Sequence, residues 1–223
     1  MNGTVLDPEL VQYHLGELEI ARNSSAPGHL LPPIPPGCRA VLDIGCGAGQ
    51  TLIASDLGDG VLACGVDPVA DALALGRTLT DRVQFGAAMG EHLPFASETF
   101  DLVFSRVALP YMNIPRALDE IFRVLRPGGT VWLSLHPPRF ALRTMTRAIR
   151  SRNVKAALYP LYTLFNGLLL HAIDRQVRWP FGRARYESTQ TAGGMRRALI
   201  RAGFVDPRTE RGRFFVVTAR KPR

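Results

Sequence analysis

Cysteine is scarce in this chain of 223 residues: Cys38, Cys46 and Cys64 are the only three, an odd number without metal-ligand spacing. That disfavours both a disulfide framework and a zinc site, and leaves buried or loop thiols. The opening MNGTVLDPEL has neither a basic segment followed by an apolar one nor a cleavage signature, so a cytoplasmic location is expected. No internal repeat is visible. A membrane span is barely accommodated: AALYPLYTLFNGLLLHAI, residues 156–173, is eighteen residues without a formal charge but is interrupted by Pro160, Asn166 and Gly167, whereas about 20 apolar residues are needed.

Apolar residues make up 46% of the chain, enough for the core of one large domain or a domain with an insertion. The net charge of +8 hides a split. Residues 1–138 hold 8 Lys/Arg against 15 Asp/Glu, a net −7, while residues 139–223 hold 19 against 4, a net +15. A basic last third permits contact with nucleic acid, anionic lipid or an acidic substrate, but a solvated basic face is the ordinary explanation.

Four regions follow. Residues 1–38 read as an N-terminal helix, with Asp7 as N-cap and Pro8 in its first turn, and a proline-rich connector. In residues 39–138 short β-rich runs alternate with segments of helical spacing, as in a parallel sheet covered by helices. Residues 139–190 are expected to form a helical insertion, read as a lid that closes an apolar pocket over the acceptor, with docking on anionic lipid or a dimer contact as the alternatives. Within it RFALRTMTRAIRSR, residues 139–152, has the spacing of a basic amphipathic helix. Residues 191–223 supply a last helix, capped by Gly203, and a pair of antiparallel strands. The fold class is α/β, doubly wound and Rossmann-like, with a mostly parallel seven-stranded sheet and an antiparallel strand at its edge.

The stretch VLDIGCGAGQ, residues 41–50, places Gly45, Gly47 and Gly49 directly after an apolar run. In a doubly wound sheet ligands bind beyond the carboxyl ends of the strands, where glycines let the backbone approach. Asp67, twenty residues after Gly47, ends the second strand, where a carboxylate can accept both ribose hydroxyls. Asp43 at the mouth of the loop would repel a pyrophosphate and suits a ligand with an ammonium and a sulfonium. This disfavours a nicotinamide oxidoreductase and points to S-adenosylmethionine.

The segments VLDIGCGAGQ, GVDP, EHLPFASETFDLVFSRVAL and ALDEIFRVLRPGG, in this order over roughly residues 39–136, resemble the class I S-adenosylmethionine-dependent methyltransferases. The likeness is greatest to the small family of ubiquinone and menaquinone biosynthesis enzymes and many natural-product methyltransferases. It implies that the loop from Asp43 through Gly45, Cys46, Gly47 and Gly49 wraps the methionine part of the cofactor, and that Asp67, followed by Pro68, binds the ribose. Where the family has Gly-Asp-Ala before its LPF segment this chain has Ala88, Met89 and Gly90. Met89 is then a candidate to lie on the adenine face, with the amides of Met89 and Gly90 reading the ring edge. Ser105 and Arg106 fall where family members contact the cofactor's methionine end or the substrate.

His136, ending TVWLSLH before two prolines, is the first candidate for a base or an acceptor-orienting group, with His92 and Tyr111 behind it. Tyr13 on the N-terminal helix joins Arg106 and Tyr111 as an acceptor-side candidate. The expected function is methyl transfer to an oxygen or carbon of an apolar small molecule, quinone-like, polyketide or prenylated, with no metal. Peripheral membrane contact and a homodimer stay open, and nucleic acid is disfavoured because the basic residues are interleaved with a long apolar run. The competing readings are methylation of RNA or another macromolecule through the basic last third, and a binding module that has lost catalysis.

Overall fold

The computed structural model describes residues 6–136, 146, 154–179 and 186–223. The basic amphipathic segment expected over residues 139–152 lies outside the described residues, Thr146 excepted.

Helix α1, Pro8–Arg22, starts as the sequence dictates: the Asp7 side chain accepts the Glu9 amide at 2.9 Å, and proline occupies the first turn, where its missing N–H costs nothing. The core then runs through β1 (Ala40–Ile44), α2 (Gln50–Ala54), β2 (Leu62–Asp67), α3 (Ala70–Leu79), β3 (Val83–Ala87), β4 (Phe100–Arg106), α4 (Ile114–Val124) and β5 (Leu125–Leu135). After it come α5 (Val154–Ile173), α6 (Ala192–Arg201), β6 (Val205–Arg211) and β7 (Phe215–Arg220).

The seven strands form one sheet in the order β3-β2-β1-β4-β5-β7-β6. Strands β1 to β5 pair in parallel, and β7 runs antiparallel to both β5 and β6. The antiparallel strand thus comes at the expected end of the sheet, one place in from the edge that β6 occupies. Chain order reverses between β1 and β4, which opens a crevice at the carboxyl ends of these two strands.

Strand alternation divides the core. Leu42 and Ile44 of β1 belong to one apolar cluster with Phe100, Leu118 and Ile121, while Val41 joins Leu52, Phe104 and Trp132 on the other face. Helix α4 buries Ile114, Leu118, Ile121 and Val124 completely, a stripe at helical spacing, and each such side chain contributes about 1.5–3 kcal/mol. Helix α6 stops at a left-handed Gly203, φ 95°, whose amide donates to Ile200 O while that of Phe204 donates to Leu199 O.

Helix α5 runs unbroken through Pro160, Asn166 and Gly167, where the sequence reads as interrupted. Asn166 is fully buried: its amide donates to Val177 O and Glu187 O and its carbonyl accepts the Val177 amide at 2.7 Å. A polar side chain that would weaken an isolated helix here ties the helix to the segment returning from it. Among the described residues no helix is long and apolar enough to cross a membrane.

The start of β1 is clasped by Asp101, which accepts the amides of Arg39 at 2.8 Å and Ala40 at 2.9 Å and the Arg126 guanidinium at 2.9 Å. Burial alone would raise this carboxyl, but the bonds from Arg126, Arg39 and Ala40 outweigh it and hold it below the usual aspartate range. The stability it provides is therefore present above the unfolded pKa of about 3.9 and is lost as pH falls through the lower folded value. Asp101→Asn is expected to reduce stability by about 1–3 kcal/mol at neutral pH and to flatten the acid limb of stability against pH. Urea midpoints across that range check both, and an acid limb identical to the wild type's contradicts the assignment.

Candidate functional site

Three backbone constraints shape the crevice between β1 and β4. Gly45 and Gly47 take φ values of 75° and 56°, a region that residues with a Cβ rarely adopt. The amides of Gly45 and Cys46 both donate to Val66 O, at 2.8 and 3.0 Å, which turns the chain back across β2. Val107, just beyond β4, has φ 62°, a strained conformation for a β-branched residue, and is held there by its amide bond to Ser134 O at 2.8 Å.

These turns and α1 enclose a cleft of about 790 Å³. It is lined by Asp43, Gly45, Cys46, Gly47 and Asp67 from the strand ends, by Tyr13, His14 and Glu17 from α1, and by Arg106, Val107, Ala108, Tyr111 and His136 from the far side. Nine residues singled out from the sequence therefore share one cavity: Tyr13, Asp43, Gly45, Cys46, Gly47, Asp67, Arg106, Tyr111 and His136.

Other candidates lie elsewhere. Gly49, φ 80°, caps α2 and is pressed against the Phe85 ring. Pro68 is exposed beyond β2. Met89 is 55% exposed and bridges to His92, while Gly90 is buried beneath Met112 and Ile44; none of these lines the cleft. Ser105 is fully buried, and its hydroxyl donates to Ile44 O at 2.8 Å. Its side chain ties β4 to β1 and does not face the cavity.

The two carboxylates of the loop differ in their surroundings. Asp67 accepts the Gly47 amide on one oxygen and the Val69 amide on the other, both at 2.9 Å, so it fixes the loop and starts α3. Asp43 is 2% exposed, and its Oδ1 has no hydrogen-bond partner. Burial pushes the Asp43 carboxyl well above the usual range, the neighbouring Asp67 charge adds to this, and Arg106 opposes it. Arg106 itself pairs with Glu17 at 3.0 Å and donates to Gly28 O.

His14, Glu17 and Gln50 carry no signal in the sequence. The His14 ring lies against Gly47, its Nδ1 is 2.6 Å from Gln50 Nε2, and burial lowers its pKa. These residues meet because α1 folds across the glycine loop, a contact between positions 36 apart in sequence. On the far wall Tyr111 Oη lies 3.2 Å from His136 Nε2. Burial lowers the His136 pKa against the opposing charge of Glu187, which favours the neutral ring. Burial likewise raises the Cys46 thiol and pushes that of Cys64 up to about 11, which leaves both as inert thiols. No group of metal-ligating side chains occurs among the described residues.

The arrangement offers backbone amides, one carboxylate already oriented and one buried carboxylate lacking a partner. It suits a ligand that carries hydroxyls and positive charge. Residues 42–133 match the model of a family described as "Methyltransferase domain". Among curated proteins, the chain is 34% identical over 96 residues to a sterol 4-C-methyltransferase of Caenorhabditis elegans, covering 40% of this chain and 28% of that protein. It is 38% identical over 110 residues to the malonyl-[acyl-carrier protein] O-methyltransferase of Herminiimonas arsenicoxydans, covering 47% and 39% respectively. The chain thus spans well under half the length of either relative. The fold is similar to that of Haemonchus contortus phosphoethanolamine N-methyltransferase 2, solved in complex with S-adenosyl-L-methionine, with a TM-score of 0.63, 16% identity, and coverage of 96% of this chain and 57% of that one.

A Cβ on Gly45 would collide with that of Ala108 as well as strain the loop. Gly45→Ala is expected to reduce stability by about 2 kcal/mol or more, and Ala108→Gly in the same chain to restore only the steric part. Chemical denaturation of the two single variants and the double variant measures this, and strictly additive losses would contradict the contact.

Proposed function

We propose that this chain, whose core is a class I S-adenosylmethionine-dependent methyltransferase domain, transfers a methyl group to an oxygen or carbon of an apolar small molecule. The observation that carries the reading is Asp43: a buried carboxylate with an unpartnered oxygen, beside Asp67, in a cleft where Arg106 is already paired with Glu17. A buried unpaired acceptor is costly, and a ligand cation would relieve it. The residues present fit S-adenosylmethionine. The loop from Asp43 to Gly47 would hold its amino-acid end, and Asp67, whose oxygens retain lone pairs beyond the two amide bonds, its ribose. Bound there, the cofactor supplies a methyl carbon made electrophilic by a sulfonium.

What the chain adds is position and a proton acceptor. Most of the rate gain in an in-line displacement comes from holding the reacting atoms about 3–3.5 Å apart in line. Tyr13, Val107 and Tyr111, which also line the cleft, would contribute walls to hold an acceptor. His136, whose pKa burial lowers and whose Nε2 lies 3.2 Å from Tyr111 Oη, would take the proton of an acceptor hydroxyl or acidic carbon. The reading of an apolar small acceptor is supported by a relative named for sterol methylation, similar over 28% of its length. Among the described residues, the cleft lining carries Asp7, Glu9 and Glu17 besides the two loop carboxylates, against the single guanidinium of Arg106, a balance that disfavours a polyanionic acceptor.

Purified protein incubated with methyl-labelled S-adenosylmethionine and a bacterial extract is expected to place label in the organic-solvent fraction, and His136→Ala to reduce that label about 100-fold or more. Label confined to RNA or protein would contradict the small acceptor, and no transfer to any fraction would contradict the activity.

A further inference from the structure

Helix α5 carries an exposed apolar face. Leu158, Leu161, Leu164, Phe165 and Leu168 are 37–65% exposed and share one side of the helix. The opposite side, through Pro160, Thr163, Asn166 and Leu170, is buried. Rotation cannot hide the exposed face, because the bonds of Asn166 to Val177 and Glu187 fix the helix about its axis. A contiguous apolar surface held outward in this way marks a contact with something else.

We propose that this face lies on an anionic lipid membrane, with α5 in the plane of the interface. Charge decides among the candidate occupants. Helix α5 contains no acidic residue, and the stretch before it, residues 139–153, holds five arginines and no acid. Arg175, two residues past the helix, is exposed, as are Arg196 and Arg197 on the adjoining α6. The two acids of the return segment are engaged: Asp174 pairs with Arg201, and Glu187 accepts from the Tyr159 hydroxyl. An apolar stripe followed by exposed cations, in a stretch of sequence rich in arginine, is complementary to lipid tails beneath anionic headgroups. A second copy docked face to face would bring like charges together.

The rim has the chemistry of a membrane boundary. Trp179 packs on Tyr159 and Tyr162, with ring centroids 5.3 and 4.8 Å apart, and such rings settle at the headgroup level. The return segment lies near the far wall of the cleft: the Glu187 charge acts on His136, and Gln176 Oε1 accepts the Ile114 amide at the start of α4 at 2.6 Å. Membrane contact would therefore put the His136 side of the cleft beside lipid, a source of apolar acceptors. Vesicle binding needs no catalysis, so this inference stands or falls apart from methyl transfer.

The test is flotation of the full chain with vesicles of phosphatidylcholine, with and without phosphatidylglycerol. Co-flotation with the anionic vesicles, weakened by salt, and a blue shift of tryptophan fluorescence that depends on Trp179 are expected. Phe165→Glu/Leu168→Glu, both at exposed positions, should lower partitioning about tenfold or more with unchanged circular dichroism. Arg175→Gln should weaken binding to anionic vesicles alone. Equal flotation of the apolar-face variant, no flotation of the wild type, or a wild-type dimer that this variant converts to monomer would each overturn the proposal.

Discussion

The bond from the Gly47 amide to the Asp67 carboxylate joins the end of β1 to the end of β2, and the site is organised around it. With the Gly45 and Cys46 amides on Val66 O, it forces the loop into left-handed conformations that only glycine adopts at low cost. The missing side chains then become contact surfaces. Ala108 approaches at Gly45, the His14 ring at Gly47 and the Phe85 ring at Gly49, so β4, α1 and β3 are all registered on one loop. The cleft is the space these contacts leave.

Electrostatics makes that space selective. Two carboxylates stand at its base, and Arg106, the one guanidinium among the described residues that line it, is held by Glu17 on α1. The same ion pair keeps α1 across the opening, so the group that would neutralise Asp43 is occupied in closing the cleft. Burial without a partner is tolerated at Asp43 because a raised pKa lets the carboxyl take up a proton, which a bound cation would displace. The strain at Val107 has a similar character, since it aims the chain after β4 into the cavity.

Much of this was legible in the sequence where the cause is local or periodic. The N-cap at Asp7, the alternation of buried runs in β1 to β5, the glycine loop and the acid at the end of β2 follow from residue chemistry at short spacing. What was not legible depends on contacts between distant positions. His14 with Gln50 and Glu17 with Arg106 meet only once α1 has folded back, and nothing near either residue encodes it. Ser105 sits where a ligand contact is expected, yet its hydroxyl is used between strands. Asn166 reads as a helix interruption, but its amide is satisfied by residues 11 and 21 positions away. Tertiary hydrogen bonds decided each case.

We propose that the glycine loop and Asp67 form a nucleoside-binding site. Calorimetric titration of S-adenosylhomocysteine into the wild type and into Asp67→Ala tests it most directly. The account predicts saturable binding to the wild type and at least about a tenfold loss in the variant, because a carboxylate that accepts ligand hydroxyls contributes about 1.5–3 kcal/mol. Equal affinity in the two proteins, or none in the wild type, would contradict it.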